Sequence, residues 1–504
     1  MSSQRQSEFD SVFAKLNVYG RYNLLCLVCH QLLAFGLATG SIASFTNIGG
    51  LKPDYFCSDP HLNSSDACSL LKNCTNLTIV SQFYSVYQEF QWACIDMAIP
   101  WSVVSLNYIP TLFVVLLAGP LCDRFGRKYP ICIGLIARLI FKILVATSQS
   151  WPFYLIADGI DTVMAPLWWS GMIPLAMETV GKQYRLLQGF AFQWTIAYTL
   201  AALAAYLSGN WRTLVWVGFF LSLPATFGFF LMQESPRWLI QKKRYSQAAS
   251  VLNRMAFVNG QKDLHFTVSE LKNIHVGEDP KVHLRDALKL FTKWKLLKHL
   301  IAIVLLNWGI GCVYAVIFMN IQDLAGNPFV NVALMGILRL WSPLAVVLEK
   351  KVRWFGRRMQ LLAPLTLVFL CFLFVAVVYS FGYRQNLHTA TTAAALCGYA
   401  VAISLVSVVV DQFSVELFPT VLRVTASSVM SVFGTLCAIT NPQLVYSRNY
   451  WNALPYLGTT AVLGIALIAG LVILPETKDK SLPDTLESVI DQNEKIDITG
   501  KTDF

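Results

Sequence analysis

The sequence predicts an all-α membrane protein, with twelve transmembrane helices forming two pseudo-symmetric six-helix bundles. Three observations predict this. The 504 residues are 55% hydrophobic and only 13% charged, about half the charged share of an ordinary soluble domain. Twelve apolar runs are each long enough to cross about 30 Å of hydrocarbon. Short motifs also occur twice in the same order, as when Phe125-Gly126-Arg127-Lys128 returns as Phe355-Gly356-Arg357-Arg358, 230 residues on.

The first six runs lie near 22–45, 98–121, 129–148, 151–177, 186–208 and 211–232. The second six lie near 298–322, 329–350, 358–381, 389–415, 423–446 and 453–474. The first run is too long for a signal-peptide core and lacks a clear small-residue cleavage site, so it reads as a span. The chain then divides into an N-terminus 1–21, a bundle 22–232 containing a polar loop 46–96, a central segment 233–297, a bundle 298–474 and a tail 475–504. Within the central segment, Tyr245 to Met255 and Val282 to Leu297 carry helical patterns. The second of these is basic and suited to acidic headgroups, or else is part of a solvated connector.

The net charge of +10 sits in short loops between apolar runs. That is the positive-inside pattern and not a nucleic-acid footprint. The loops Asp123 to Lys128 and Glu349 to Arg358 and the central segment, with 12 Lys or Arg, fall on one side, while loop 46–96 falls on the other with only Lys52 and Lys72. Both termini are therefore expected in the cytoplasm. The same loop carries sequons at Asn63, Asn73 and Asn76 and the cysteines Cys57, Cys68, Cys74 and Cys94. Together these predict glycosylation and two disulfides in an oxidising compartment, at the plasma membrane, with three connectivities open.

The repeat extends beyond the Phe-Gly-Arg element. Glu178 and Arg185 return as Glu416 and Arg423, and Glu234-Ser235-Pro236 has a counterpart in Pro475-Glu476-Thr477. Such repeats supply the two moving parts of secondary transporters. The run Gly119, Asp123, Arg124, Gly126, Arg127, Lys128 resembles the G-x-x-x-D-R-x-G-R-[RK] loop of the major facilitator superfamily at every defined position. A narrower resemblance, to the organic cation, anion and zwitterion transporters of that superfamily, covers essentially the whole chain. It rests on the cysteine-bearing loop ending in Glu89 to Cys94, on Gln233-Glu234-Ser235-Pro236-Arg237-Trp238-Leu239, on Val180 to Arg185, on Glu416 to Arg423 and on Pro475 to Lys478. The resemblance implies a major facilitator fold and cytoplasmic gating by Gly119, Asp123, Arg124, Gly126, Arg127, Glu178, Arg185, Glu234, Arg237, Gly356, Arg357, Glu416 and Arg423.

The positions that usually announce substrate charge depart from the family. The early span-4 arginine is missing from Ala157-Asp158-Gly159-Ile160-Asp161, the charged span-11 position is Thr435, and the acid before the span-8 proline is Trp341. Asp161 and Trp168 are seven residues apart, two helical turns, and together suit an organic cation through charge and cation–π attraction. Asp158 shares that face less well, and the alternative for Asp161 is pairing with an internal base. Arg339 in span 8 suits a carboxylate substrate or a protein acid. Asp411 lies on a stripe with Ser404, Ser407 and Ser414, near enough to the cytoplasmic end for gating. Gln193, which aligns with a family glutamine, and Tyr314 complete the candidate contacts. Ser428, Ser431 and Thr435 share one face, where small hydroxyls also serve close packing. His30 and Lys142 read as inward packing or snorkelling groups.

No metalloprotease, hydrolase or phosphate-loop motif occurs, so neither an enzyme nor a cofactor is expected. The expectation is a secondary transporter of small organic ions acting by alternating access as a monomer in the lipid bilayer. Cations or zwitterions are favoured because Asp158, Asp161 and Asp411 outnumber the one strong internal base, Arg339. The coupling ion is left open. The alternatives are an organic anion transporter using Arg339 and a non-transporting receptor descended from a carrier.

Overall fold

A computed structural model describes residue 16 and residues 20–58, 67–179, 194–272, 291–341, 356–418 and 420–477. Nine helices among the described residues are long and apolar enough to cross a membrane. The remaining predicted spans are a 28-residue helix whose Asp158 and Asp161 make it less apolar and two shorter apolar helices bordering undescribed residues.

By contacts within the chain, the structure divides into two compact units. The first comprises Met1–Asp279 and Asn327–Ile337, and the second comprises Pro280–Gly326 and Leu338–Phe504. The first begins with α1 (Arg21–Ala43) and continues through β1 (Asp54–Cys57), α2 (Ala67–Asn73), β2 (Leu77–Val80) and α3 (Val86–Glu89). The spans α4 (Ala98–Phe125), α5 (Lys128–Thr147), α6 (Trp151–Glu178), α7 (Thr195–Ser208) and α8 (Trp211–Leu231) follow, then the short α9 (Pro236–Gln241), α10 (Tyr245–Val258) and α11 (Val268–Lys272). The second unit holds α12 (Trp294–Met319), α14 (Arg357–Ser380), α15 (Arg384–Val401), α16 (Ser407–Glu416), α17 (Thr420–Tyr446) and α18 (Leu454–Ile473), while α13 (Pro328–Ile337) groups with the first.

Proline occurs inside α4, α6, α8, α14 and α17. Membrane helices tolerate it because neighbouring groups satisfy the freed carbonyls. Close packing of α1 on α8 depends on small residues: a Cβ on Gly36 would lie 2.7 Å from the Gly218 carbonyl oxygen and 1.9 Å from Ser222 Oγ. Apolar side chains give little net drive for helix association in lipid, so such backbone approach sets which helices pair. In the central segment, α9 and α10 bury Trp238, Leu239, Leu252 and Met255 in the same cluster as Cys29 and Leu33 of α1. The first predicted helix there thus packs onto the bundle base, while 282–290 of the second lies outside the described residues.

Of the three possible pairings, the loop between α1 and α4 adopts Cys57–Cys74 and Cys68–Cys94. The other eight cysteines are free. Strands β1 and β2 pair antiparallel with Asp54 opposite Val80 and Cys57 opposite Leu77. Asn73 and Asn76 are exposed, and Asn63 lies outside the described residues. The loop is latched to the bundle by Glu89, which accepts from Trp211 Nε1 at 2.7 Å and Arg212 Nε at 2.9 Å. Backbone bonds between Tyr84 and both Gly209 and Trp211 close the same seam.

Candidate functional site

Each unit carries one charge cluster built in the same way. In the first, Arg127 pairs with Asp123 one helical turn earlier and reaches Glu178 of α6 at 3.4 Å. Glu234 accepts from the backbone N–H groups of Arg127 at 2.9 Å and Lys128 at 3.1 Å. These are the orphan donors at the start of α5, so the carboxylate caps the helix and meets the positive end of its dipole. Gly126 makes this possible twice over: its φ of +100° suits glycine, and a Cβ there would lie 2.2 Å from Glu234 Oε2.

In the second unit, Arg357 pairs with Glu416 of α16 at 3.3 Å and donates to Gln412 at 3.0 Å. Glu476 caps α14 by accepting from Arg357 N at 2.8 Å and Arg358 N at 3.1 Å. A Cβ on Gly356 would again meet Glu476 Oε2, at 2.2 Å. Thr477 also donates to Glu416 at 2.5 Å. Arg185 lies outside the described residues, as does the side chain of Arg423. Gly119 has open space where a Cβ would stand, Arg124 lies over Phe125, and Arg237 is half-buried in the first turn of α9.

Within the span region of the first unit, four charges meet. Asp161 accepts from Lys142 at 2.9 Å and Arg138 at 3.3 Å. Asp158 stands 3.8 Å from Lys142, and its side chain is 27% exposed against 8% for Asp161. Arg138 also donates to the Gly36 carbonyl at 3.0 Å. Arg138 and Lys142 are one turn apart on α5 and face α6, so the cluster sums to zero charge. This corrects the internal charge count, which recognised one strong base and read Lys142 as a packing or snorkelling group. The missed signal is the i, i+4 spacing of Arg138 and Lys142 in an apolar run. Trp168 is 3% exposed and packs against Gly134 of α5, so Asp161 and Trp168 share the face of α6 that meets α5.

In the second unit, Arg339 donates to the Tyr399 hydroxyl at 2.8 Å and lies 5.8 Å from its ring. Tyr399 is 6.3 Å from the Tyr314 ring, which stacks on Phe318 at 5.2 Å. Tyr399, absent from the sequence-based candidates, is therefore what joins Arg339 to Tyr314. Between α15 and α16 the helix takes a π turn at Ala402–Val406, which no residue pattern announces. Asp411 is exposed while Ser404 and Ser414 are buried, so the predicted stripe does not share one environment. Ser404, Ser407, Ser414 and Thr435 donate to carbonyls of their own helical turns. Gln193 and the Trp341 side chain lie outside the described residues. Among the described residues no three His, Cys, Asp or Glu side chains gather to hold a metal.

The family model described as sugar (and other) transporter matches residues 25–487. Solute carrier family 22 member 1 of Bos taurus is 26% identical over 417 residues, covering 80% of this chain and 70% of that protein. The organic cation transporter protein of Drosophila melanogaster is 25% identical over 543 residues, covering 95% of this chain and 94% of that protein. Among solved structures, the inward-open xylose transporter XylE from E. coli aligns with a TM-score of 0.61 at 17% identity, covering 93% of this chain and 99% of that one. That likeness concerns the fold.

Proposed function

Because this chain belongs to the sugar (and other) transporter family of the major facilitator superfamily, a family of transporters and not enzymes, we propose that it moves small organic ions across the plasma membrane by alternating access, both termini lying in the cytoplasm. The carrying observation is the repeated charge cluster: Asp123, Arg127, Glu178 and Glu234 in one unit, with Gln412, Arg357, Glu416 and Glu476 in the other. Partly exposed ion pairs of this kind form in some conformations and part in others, so they bias a conformational equilibrium. The arginine–carboxylate geometry argues against a receptor that has lost its moving parts.

Organic cations or zwitterions are the favoured substrates. Two features support this: relatives include a protein named for organic cation transport, and Asp411 is an exposed acid whose carboxylate no described base pairs. Asp158, the less enclosed acid of the four-charge cluster, is the next candidate contact. Asp161 is committed to two bases, and Trp168 meets a substrate only if α5 and α6 part. Arg339 with Tyr399 and Tyr314 supports the reading as an organic anion transporter.

Uptake of a labelled quaternary ammonium ion and a labelled aromatic carboxylate, at matched surface level, tests the proposal. Saturable cation uptake that is lost in Asp123→Ala supports it. Carboxylate uptake reverses the charge assignment and moves the site to Arg339. Silence on both, in correctly folded protein, overturns transport of organic ions.

A further inference from the structure

The core of the first unit contains four soft donors the gate does not use. Cys26 and His30 lie one turn apart on α1. Cys26 Sγ is 3.5 Å from Met232 Sδ, and His30 Nδ1 is 3.0 Å from Met172 Sδ. All four residues are at most 6% exposed. Cys26, Met172 and Met232 line one small cavity between α1, α6 and the end of α8, with about 10 Å³ free for the centre of a water-sized particle, room for one such particle. Cys29, by contrast, faces Gly228, where a Cβ would lie 2.4 Å from its sulfur.

We propose that this cavity is a binding site for one soft monovalent metal ion, cuprous copper or its analogue silver, held by Cys26, Met172 and Met232, with His30 outside the lining and against Met172. The donor set selects the ion. Thioethers and thiolate prefer soft cations, and the calcium- and magnesium-type ions want carboxylate oxygens that the lining lacks, its one side-chain oxygen, on Thr179, donating to the Ala176 carbonyl at 3.0 Å. Charge selects it again. On binding, the S–H bond of Cys26 is replaced by a sulfur–metal bond and its proton passes to bulk water, so a +1 ion and one thiolate make a neutral unit. A divalent ion would leave an unpaired charge in a medium where that is expensive. The flexible methionines re-aim without disturbing the backbone.

The test uses the purified full chain in detergent, loaded with cuprous copper buffered by bathocuproine disulfonate, and counts retained copper per protein. The wild type should retain one equivalent more than Met172→Leu/Met232→Leu, and Cys26→Ser should lose the same equivalent. Met→Leu conserves volume, and metal-free thermal unfolding of the double variant checks its fold. Equal copper in the wild type and a folded double variant overturns the site. Loss in Cys26→Ser with retention in the double variant overturns it as well, since that pattern describes a thiol alone.

Discussion

Replacing Asp161 with Asn tests the four-charge cluster most directly. The change removes the carboxylate that both bases share and leaves Arg138, 4% exposed, donating to the Gly36 carbonyl. Lys142 keeps Asp158 at 3.8 Å. Breaking one partner out of a buried ionic set typically destabilises by about 3–5 kcal/mol. Because Lys142 keeps a partner, the lower end of that range is expected. Asp158→Asn leaves both bases on Asp161 and should lose about 1 kcal/mol. The assay is thermal unfolding of the detergent-solubilised protein, with surface biotinylation of intact cells. The expected order of stability is wild type, then Asp158→Asn, then Asp161→Asn. Arg138→Met combined with Asp161→Asn should recover part of the loss, because it removes the stranded cation along with its partner. An Asp161→Asn protein that unfolds with the wild type, or an Asp158→Asn protein that loses as much as Asp161→Asn, refutes the reasoning.

Other outcomes follow from the same geometry. Gly356→Ala should displace Glu476 from the start of α14 and lower the maximal uptake rate at unchanged surface level, an N-cap loss of about 0.5–2 kcal/mol; Gly126→Ala should do the same more severely, because its positive φ adds strain, and initial-rate uptake checks both. Removing Cys57 and Cys74 together should destabilise the loop between α1 and α4 by about 3 kcal/mol, the chain-entropy value for a loop of that length, read as reduced surface maturation. Glu89→Gln should weaken the seam to Trp211 and Arg212 and speed cleavage within 51–94 by an added protease, with the membrane spans still protected.

The architecture was legible because lipid imposes long apolar runs and internal backbone pairing. The duplicated Phe-Gly-Arg element carried the two-bundle reading. The two arginine–carboxylate clusters were legible in part: Glu234 and Glu476 follow Arg127 and Arg357 in the same motif order, though 107 and 119 residues on, while no pattern marks Gln412 as a partner of Arg357. The interior was less so. Helical spacing places Asp161 and Trp168 on one face but does not say which helix that face meets, and here it meets α5 with its two bases. Tyr399 was missed because an aromatic residue in an apolar span has no pattern that marks it as a partner of Arg339. The disulfide pairing depended on three-dimensional proximity of cysteines whose spacing permits all three connectivities.

The π turn at Ala402–Val406 alters how the tenth span should be mapped. A π turn holds one residue more than an α turn, so residues after it are out of phase with those before it by about 100° of rotation. A wheel drawn through α15 and α16 at constant pitch therefore assigns Ser407, Asp411 and Ser414 to the wrong longitude relative to Tyr399. A cysteine-accessibility scan along this span should trace two separate meridians that break at 402–406, and deleting one residue there should rotate the half that follows, carrying Gln412 and Glu416 away from Arg357.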